Sequence, residues 1–137
     1  MLEPRALRRL NILFVDSDPH VHDKMQHALG SGFVVKCVAS VTEAKELLNV
    51  FVPDILISEV MVGGEDGLDL CRYVRSQSSL HHLPIMLLTS LTTLHDKIAG
   101  FDAGTDDYVV KPFDAPHLQA RIRLLSRIKR LEQRANV

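Results

Sequence analysis

Apolar residues along this chain gather in five short runs, at 12–15, 33–38, 55–57, 85–88 and 108–110. The runs are rich in Val, Ile and Leu and mostly unbroken, the pattern of strands buried on both faces of a sheet. Between them the spacing turns helical. Asp18-Pro19 supplies an N-cap with proline at the first helical position, and Val21, Met25, Ala28 and Leu29 follow at helical intervals. Ser40 to Glu43 reads as a capping box, with Val41, Ala44, Leu47 and Leu48 inward. Asp66-Gly67 opens a third helix carrying Leu70 and Val74; Leu94, Ile98 and Phe101 stripe a fourth, which Gly104 closes. A fifth runs from about Asp114 towards the C-terminus. Its Leu118, Ile122 and Leu125 are spaced to pack on the sheet, and the stripe continues through Ile128 and Leu131.

Five strand–helix units with short connections predict an α/β fold, a five-stranded parallel sheet with helices on both faces. In such sheets the functional crevice lies beyond the carboxyl ends of the strands. The residues just past each run are therefore the candidates. They are Asp16, Ser17 and Asp18 after the first, Glu59 after the third, Thr89 and Ser90 after the fourth, and Lys111 after the fifth. Grouped carboxylates would hold a hard cation such as Mg²⁺. A lysine and a hydroxyl opposite them would stabilise the equatorial oxygens of a transferring phosphoryl group. No glycine-rich nucleotide-binding fingerprint follows the first run, which argues against a flavodoxin-like nucleotide binder.

Composition narrows the classes. The chain has 137 residues, the size of one domain, with 46% hydrophobic residues and a net charge of -1. That balance predicts a soluble globular domain with no electrostatic case for binding nucleic acid or a membrane. Cys37 and Cys71 have neither metal-site nor redox spacing. The first residues interleave charge with apolar positions, unlike a secretory signal, so a cytoplasmic location is expected.

The segments "ILFVDSDP", "PDILISEVMVGGEDG", "PIMLLTS" and "AGTDDYVVKPF", in that order and spacing, resemble the receiver domain of two-component response regulators. The resemblance covers roughly residues 11 to 126. It implies the flavodoxin-like (βα)5 receiver fold, with 1–10 left as a short N-terminal arm and 127–137 as a basic helical extension or linker. In the family two acids after the first strand bind Mg²⁺, an aspartate after the third accepts phosphate, and a hydroxyl residue and a lysine contact the phosphoryl group. An aromatic residue on the fifth strand changes rotamer. By position these are Asp16 and Ser17, Glu59, Thr89, Lys111 and Tyr108. The resemblance also implies a cis Lys111–Pro112 bond, and cis bonds are essentially a proline feature.

Three departures bear on function. Glu59 stands where the phospho-accepting aspartate belongs, Ser17 where a metal-binding acid belongs, and Gly63 where the loop usually has proline. That loop also supplies a metal ligand, here the Met61 carbonyl. The first departure carries the carboxylate one methylene further, about 1.5 Å. A misplacement near 1 Å can cost on the order of 100-fold in rate. The second removes a charged ligand from the cation that neutralises the reacting phosphate, so Mg²⁺ binding is expected to be weakened. Both departures predict a pseudo-receiver, a non-enzymatic signalling module acting through protein–protein contact without phosphorylation. Two readings of Glu59 stand within it. Its carboxylate either pairs with Lys111 and imitates the phosphorylated state, or is an inert rim acid. The competing class is a working phosphorelay receiver that takes phosphate from a histidine kinase with Mg²⁺.

Other residues have plainer roles. Asp18 reads as a helix cap before it reads as a metal ligand. His20, Asp23 and His27 read as surface polar residues, and His81-His82 as a solvated loop. Lys97, Asp106, Asp107 and Arg121 resemble the charged set through which many receivers dimerise by the fourth helix, fifth strand and fifth helix. The partners expected are another copy, an output domain or a regulatory protein. The apolar positions beyond residue 126 suggest a helical linker or dimer seam, and Arg127, Lys129, Arg130 and Arg134 make that tail basic. Two turns do not by themselves establish a coiled coil.

Overall fold

The structure is a computed structural model that describes residues 9–135. All but the last two positions of the arm (1–10), and residues 136–137 of the extension, lie outside the described residues. In chain order the elements are β1 (Leu10–Val15), α1 (Pro19–Leu29), β2 (Phe33–Val38), α2 (Val41–Leu48), β3 (Ile55–Ser58), β4 (Met61–Val62), β5 (Glu65–Asp66), α3 (Gly67–Ser76), β6 (Ile85–Thr89), α4 (Leu94–Ala103), β7 (Asp107–Val110) and α5 (Ala115–Ala135). The main sheet is parallel throughout, in the order β2-β1-β3-β6-β7. β4 and β5 form a two-residue hairpin after β3.

The two sheet faces build two cores. Leu13, Val15, Leu56, Ile85 and Leu87 pack under α2 and α3, with Val41, Ala44, Leu48, Leu70 and Val74. Ile12, Phe14, Ile55, Ile57, Met86 and Leu88 pack under α1 and α5, with Met25, Leu29, Leu118, Ile122 and Leu125. The alternation explains the unbroken apolar runs, since each central strand feeds both faces. Asp18 and Ser40 cap α1 and α2 as the sequence predicts, accepting from the His20 and Glu43 amides. The Lys111–Pro112 bond is cis.

Two helices depart from the periodicity reading. On α4 the apolar stripe Leu94, Ile98 and Phe101 faces solvent, and the helix buries only Gly100 and Ala103. On α5 the inward face after Leu125 continues through Ser126 and not through Ile128 and Leu131, which are exposed. In both cases helical spacing identifies an apolar stripe without identifying what it faces. The small-residue face of α4 carries no signal in a pattern of large apolar residues.

Candidate functional site

Parallel strands end on one rim, so β1, β3, β6 and β7 deliver their following residues to the same place. Asp16, Glu59 and Thr89 are buried there, and Lys111 is partly buried. Lys111 Nζ donates to Asp16 Oδ2 at 2.8 Å and to Glu59 Oε1 at 3.1 Å. One ammonium thus bridges two carboxylates from different strand ends. Burial alone would lower the Lys111 pKa, but its pairing with Asp16 and Glu59 outweighs that and holds it above its ordinary value.

The remaining carboxylate valences turn to nearby backbone. Asp16 Oδ1 accepts from the Asp18 amide at 2.9 Å, and Glu59 Oε2 accepts from its own following amide, Val60. His22, on α1, sets its Nε2 against the Asp16 carbonyl. The hairpin after Glu59 is tightly set. Gly67 donates to the Val60 carbonyl at 2.6 Å, and a Cβ at Gly67 would stand 2.1 Å from the Glu59 carbonyl oxygen, so only glycine fits. Gly63 has φ of +61°, which proline, fixed near -65°, cannot adopt. A proline at 63 would therefore require a different backbone conformation at that position. Glu65, on β5, ties the hairpin to α2 by accepting from the Val41 amide and the Thr42 hydroxyl.

Thr89 and Tyr108 meet at the loop after β6. Thr89 Oγ1 accepts from the Leu91 amide at 3.3 Å, while the Tyr108 hydroxyl donates to the Leu91 carbonyl at 2.9 Å. Leu91 is thereby held at both backbone groups. Tyr108 is buried, and its hydroxyl pKa is raised by that burial and by the negative charges of Asp96 and Glu59. Gly100 on α4 leaves space for the ring, since a Cβ there would lie 3.1 Å from Tyr108 Cδ2.

The sequence-selected residues thus divide into groups. Asp16, Glu59 and Lys111 are in direct contact. Thr89 and Tyr108 form a second cluster at Leu91, and no hydrogen bond joins Thr89 to Glu59 among the described residues. Ser17 and Met61 are exposed, with Ser17 Cβ 3.8 Å from where a Cβ on Gly63 would be. Asp18 is occupied as a cap. Of the charged surface set, Arg121 and Asp107 pair with each other within the chain. Asp106 points to the opposite end of the sheet, where it binds Arg75, Lys129 and the Ile85 amide. Lys97 is partly exposed on α4. The sequence reading missed Leu91, whose role is carried by its backbone, and Arg75, whose importance depends on carbonyls that no sequence pattern marks.

The residues that would hold a divalent cation here are Asp16, Ser17, Glu59 and the Met61 carbonyl. The two carboxylates are already committed to Lys111, and the third position is a neutral serine hydroxyl. Among the described residues no group of three or more His, Cys, Asp or Glu is arranged to hold a metal.

Residues 12–123 match the response regulator receiver domain family. Response regulator MprA of Mycobacterium ulcerans (strain Agy99) is 39% identical over 124 residues, covering 90% of this chain and 53% of that protein. The DNA-binding dual master transcriptional regulator RpaA of Synechocystis sp. (strain ATCC 27184 / PCC 6803 / Kazusa) is 35% identical over 126 residues, covering 90% and 52%. The chain therefore spans about half the length of the curated relatives it matches. Among solved structures, the BeF3-activated N-terminal receiver domain of Klebsiella pneumoniae RstA superposes with a TM-score of 0.78 at 34% identity, covering 85% of this chain and 98% of that one. Family match, sequence relatives and superposed structure agree with the rim geometry: this chain belongs to the response regulator receiver domain family.

Proposed function

We propose that this receiver signals by protein contact with a degenerate acceptor site, without phosphoryl transfer at Glu59. The observation that carries the reading is the bridge from Glu59 Oε1 to Lys111 Nζ, with the same ammonium on Asp16. A lysine that would contact an incoming phosphoryl group already has two carboxylate partners. Charge-assisted pairing of this kind is the strongest ordinary hydrogen bond, so an incoming group competes with it directly. Glu59 Oε2 also accepts from the Val60 amide, so each of its oxygens already holds a partner.

Of the two readings of Glu59, the lysine contact favours the mimic. The carboxylate supplies one of the two contacts a phosphoryl group would make, to Lys111, and omits the one to Thr89. The buried Tyr108, fastened to Leu91, fits a switch held in one arrangement without phosphate. With Ser17 in place of an acid, Mg²⁺ binding is weak, and the module is not an enzyme. The relatives are about twice as long, and one is named as DNA-binding, which supports an output domain as the partner in a longer protein. A homodimer through α4, β7 and α5 remains compatible with Lys97 and the exposed α4 stripe.

The test is a titration with Mg²⁺ and beryllofluoride, a phosphate analogue, followed through the amide resonances of Thr89, Tyr108 and Lys111. The expected result is no saturable shift. Saturable, Mg²⁺-dependent shifts would overturn the proposal in favour of a working phosphorelay receiver fed by a histidine kinase.

A further inference from the structure

Beyond the rim, the second half of α5 carries an apolar stripe that the protein's own core does not use. Leu124, Ile128 and Leu131 are 47%, 41% and 57% exposed. Their spacing of four and then three residues is that of successive d, a and d positions in a heptad. They do not continue the core face, which runs through Leu118, Ile122, Leu125 and Ser126. The helix has two apolar stripes, one inward and one free.

We propose that the free stripe is the seam of a short parallel two-helix coiled coil with a second copy of this chain. Three features select that occupant. First, the residue types fit, since a β-branched residue at a with leucine at d favours two parallel strands, and here Ile128 is flanked by Leu124 and Leu131. Second, charge fixes direction. In a parallel, in-register pair Arg127 at a g position meets the partner's residue 132 at e, which is glutamate. An antiparallel pair would set Arg127 against another arginine, either its own counterpart or Arg134. Arg127 makes no ion pair within the chain among the described residues. Glu132 has a long 3.5 Å contact to Lys129, which Asp106 holds more closely at 2.8 Å. The half-exposed Glu132 can therefore turn to the partner's Arg127.

Third, the helix is already built and held. Lys129 on the side facing the protein body pairs with Asp106 at 2.8 Å, while Leu125 and Ser126 are buried against it. A seam this short on a free peptide would have to order its helices first, and isolated helices of that length are marginal. Here folding of the domain has already met the ordering cost, so burial of the stripe contributes directly to association. This surface is distinct from the α4 stripe, and the proposal stands whether or not Glu59 accepts phosphate.

The experiment is sedimentation equilibrium of the 137-residue chain across a range of concentrations. A monomer–dimer equilibrium is expected, weakened by about tenfold or more in Ile128→Asp. Ile98→Asp on α4 should leave it unchanged. Arg127→Glu should weaken it, and adding Glu132→Arg should restore it. Circular dichroism checks that each variant remains folded. An independent arm requires no loss of stability: oxidised Ile128→Cys should cross-link to a covalent dimer, while Gln133→Cys on the outer side of the seam should not. A chain that is monomeric throughout would overturn the proposal. So would a dimer broken by Ile98→Asp and untouched by Ile128→Asp, or cross-linking as efficient at 133 as at 128.

Discussion

The two ends of the sheet carry charge clusters of opposite design. At the carboxyl rim one cation, Lys111, lies between two carboxylates, Asp16 and Glu59. At the amino end one carboxylate, Asp106, lies between two cations, Arg75 and Lys129. The clusters differ most in what else they touch. Arg75 also donates to the carbonyls of His81, Leu83 and Gly104, and Asp106 accepts from the Ile85 amide. That lower cluster is fastened to backbone and joins α3, β6, β7 and α5. At the rim the backbone amides of Asp16, Glu59 and Lys111 also bond to neighbouring strands, but their side chains reach across strands to one another. Backbone acceptors do not rearrange without unfolding, whereas side-chain partners can exchange. The difference separates a clamp anchored to backbone from a cluster whose cross-strand pairing rests on side chains.

Breaking each cluster at its shared residue is the sharpest way to test that contrast. Asp106→Ala leaves two cations and an amide without their common partner, and should destabilise the chain by about 2–3 kcal/mol. A urea midpoint little changed would mean that the lower cluster is no clamp. Lys111→Met leaves two carboxylates facing each other and should cost less, about 1–2 kcal/mol, because the rim can admit water. In a Glu59→Gln background the same lysine substitution should cost less still, and a double-mutant cycle from the four urea curves measures the coupling. Additivity would show that Glu59 and Lys111 are neighbours without being partners.

The smallest effect is alkaline. In the folded chain Lys111 and Tyr108 titrate above their ordinary values, and burial pushes the Cys71 thiol up to about 12. Each keeps its proton in the folded state after the unfolded chain has released it. Their contribution to stability is therefore full below the unfolded values, about 8.5 for the thiol and 10 to 10.4 for the others. It falls as pH rises through the higher folded values. Thermal midpoints should decline through this window, and Lys111→Met should remove the lysine's share of the slope while leaving the rest. An identical slope in that variant would place the decline elsewhere.

The rim was legible in the sequence because strand ends in a parallel sheet are ordered by topology, and Asp16, Glu59, Thr89 and Lys111 each follow an apolar run. Their grouping followed from position alone. What Glu59 touches did not follow, because a glutamate side chain can point several ways and only the fold selects the lysine. Five strands and five helices were equally legible, since each strand feeds two cores and so reads as an unbroken run. The outward stripe on α4 was not, because helical periodicity records that large apolar residues share a side, not which side is inside. The Arg75 cluster was invisible for a different reason: most of its acceptors are carbonyls, which every residue possesses.

That outward-facing helix has a mechanical consequence. α3 grips the sheet with Leu70, Cys71 and Val74, and α1 with Met25 and Leu29, whereas α4 seats only Gly100 and Ala103. Burying little apolar area, α4 is held by little free energy. Its contact with the sheet is made by small residues, while its neighbours insert large side chains. The Tyr108 ring lies against Gly100, so this lightly seated helix rests on the tyrosine whose hydroxyl holds the Leu91 carbonyl. Among the sheet-packed helices described, α4 is therefore the one expected to open locally at least cost.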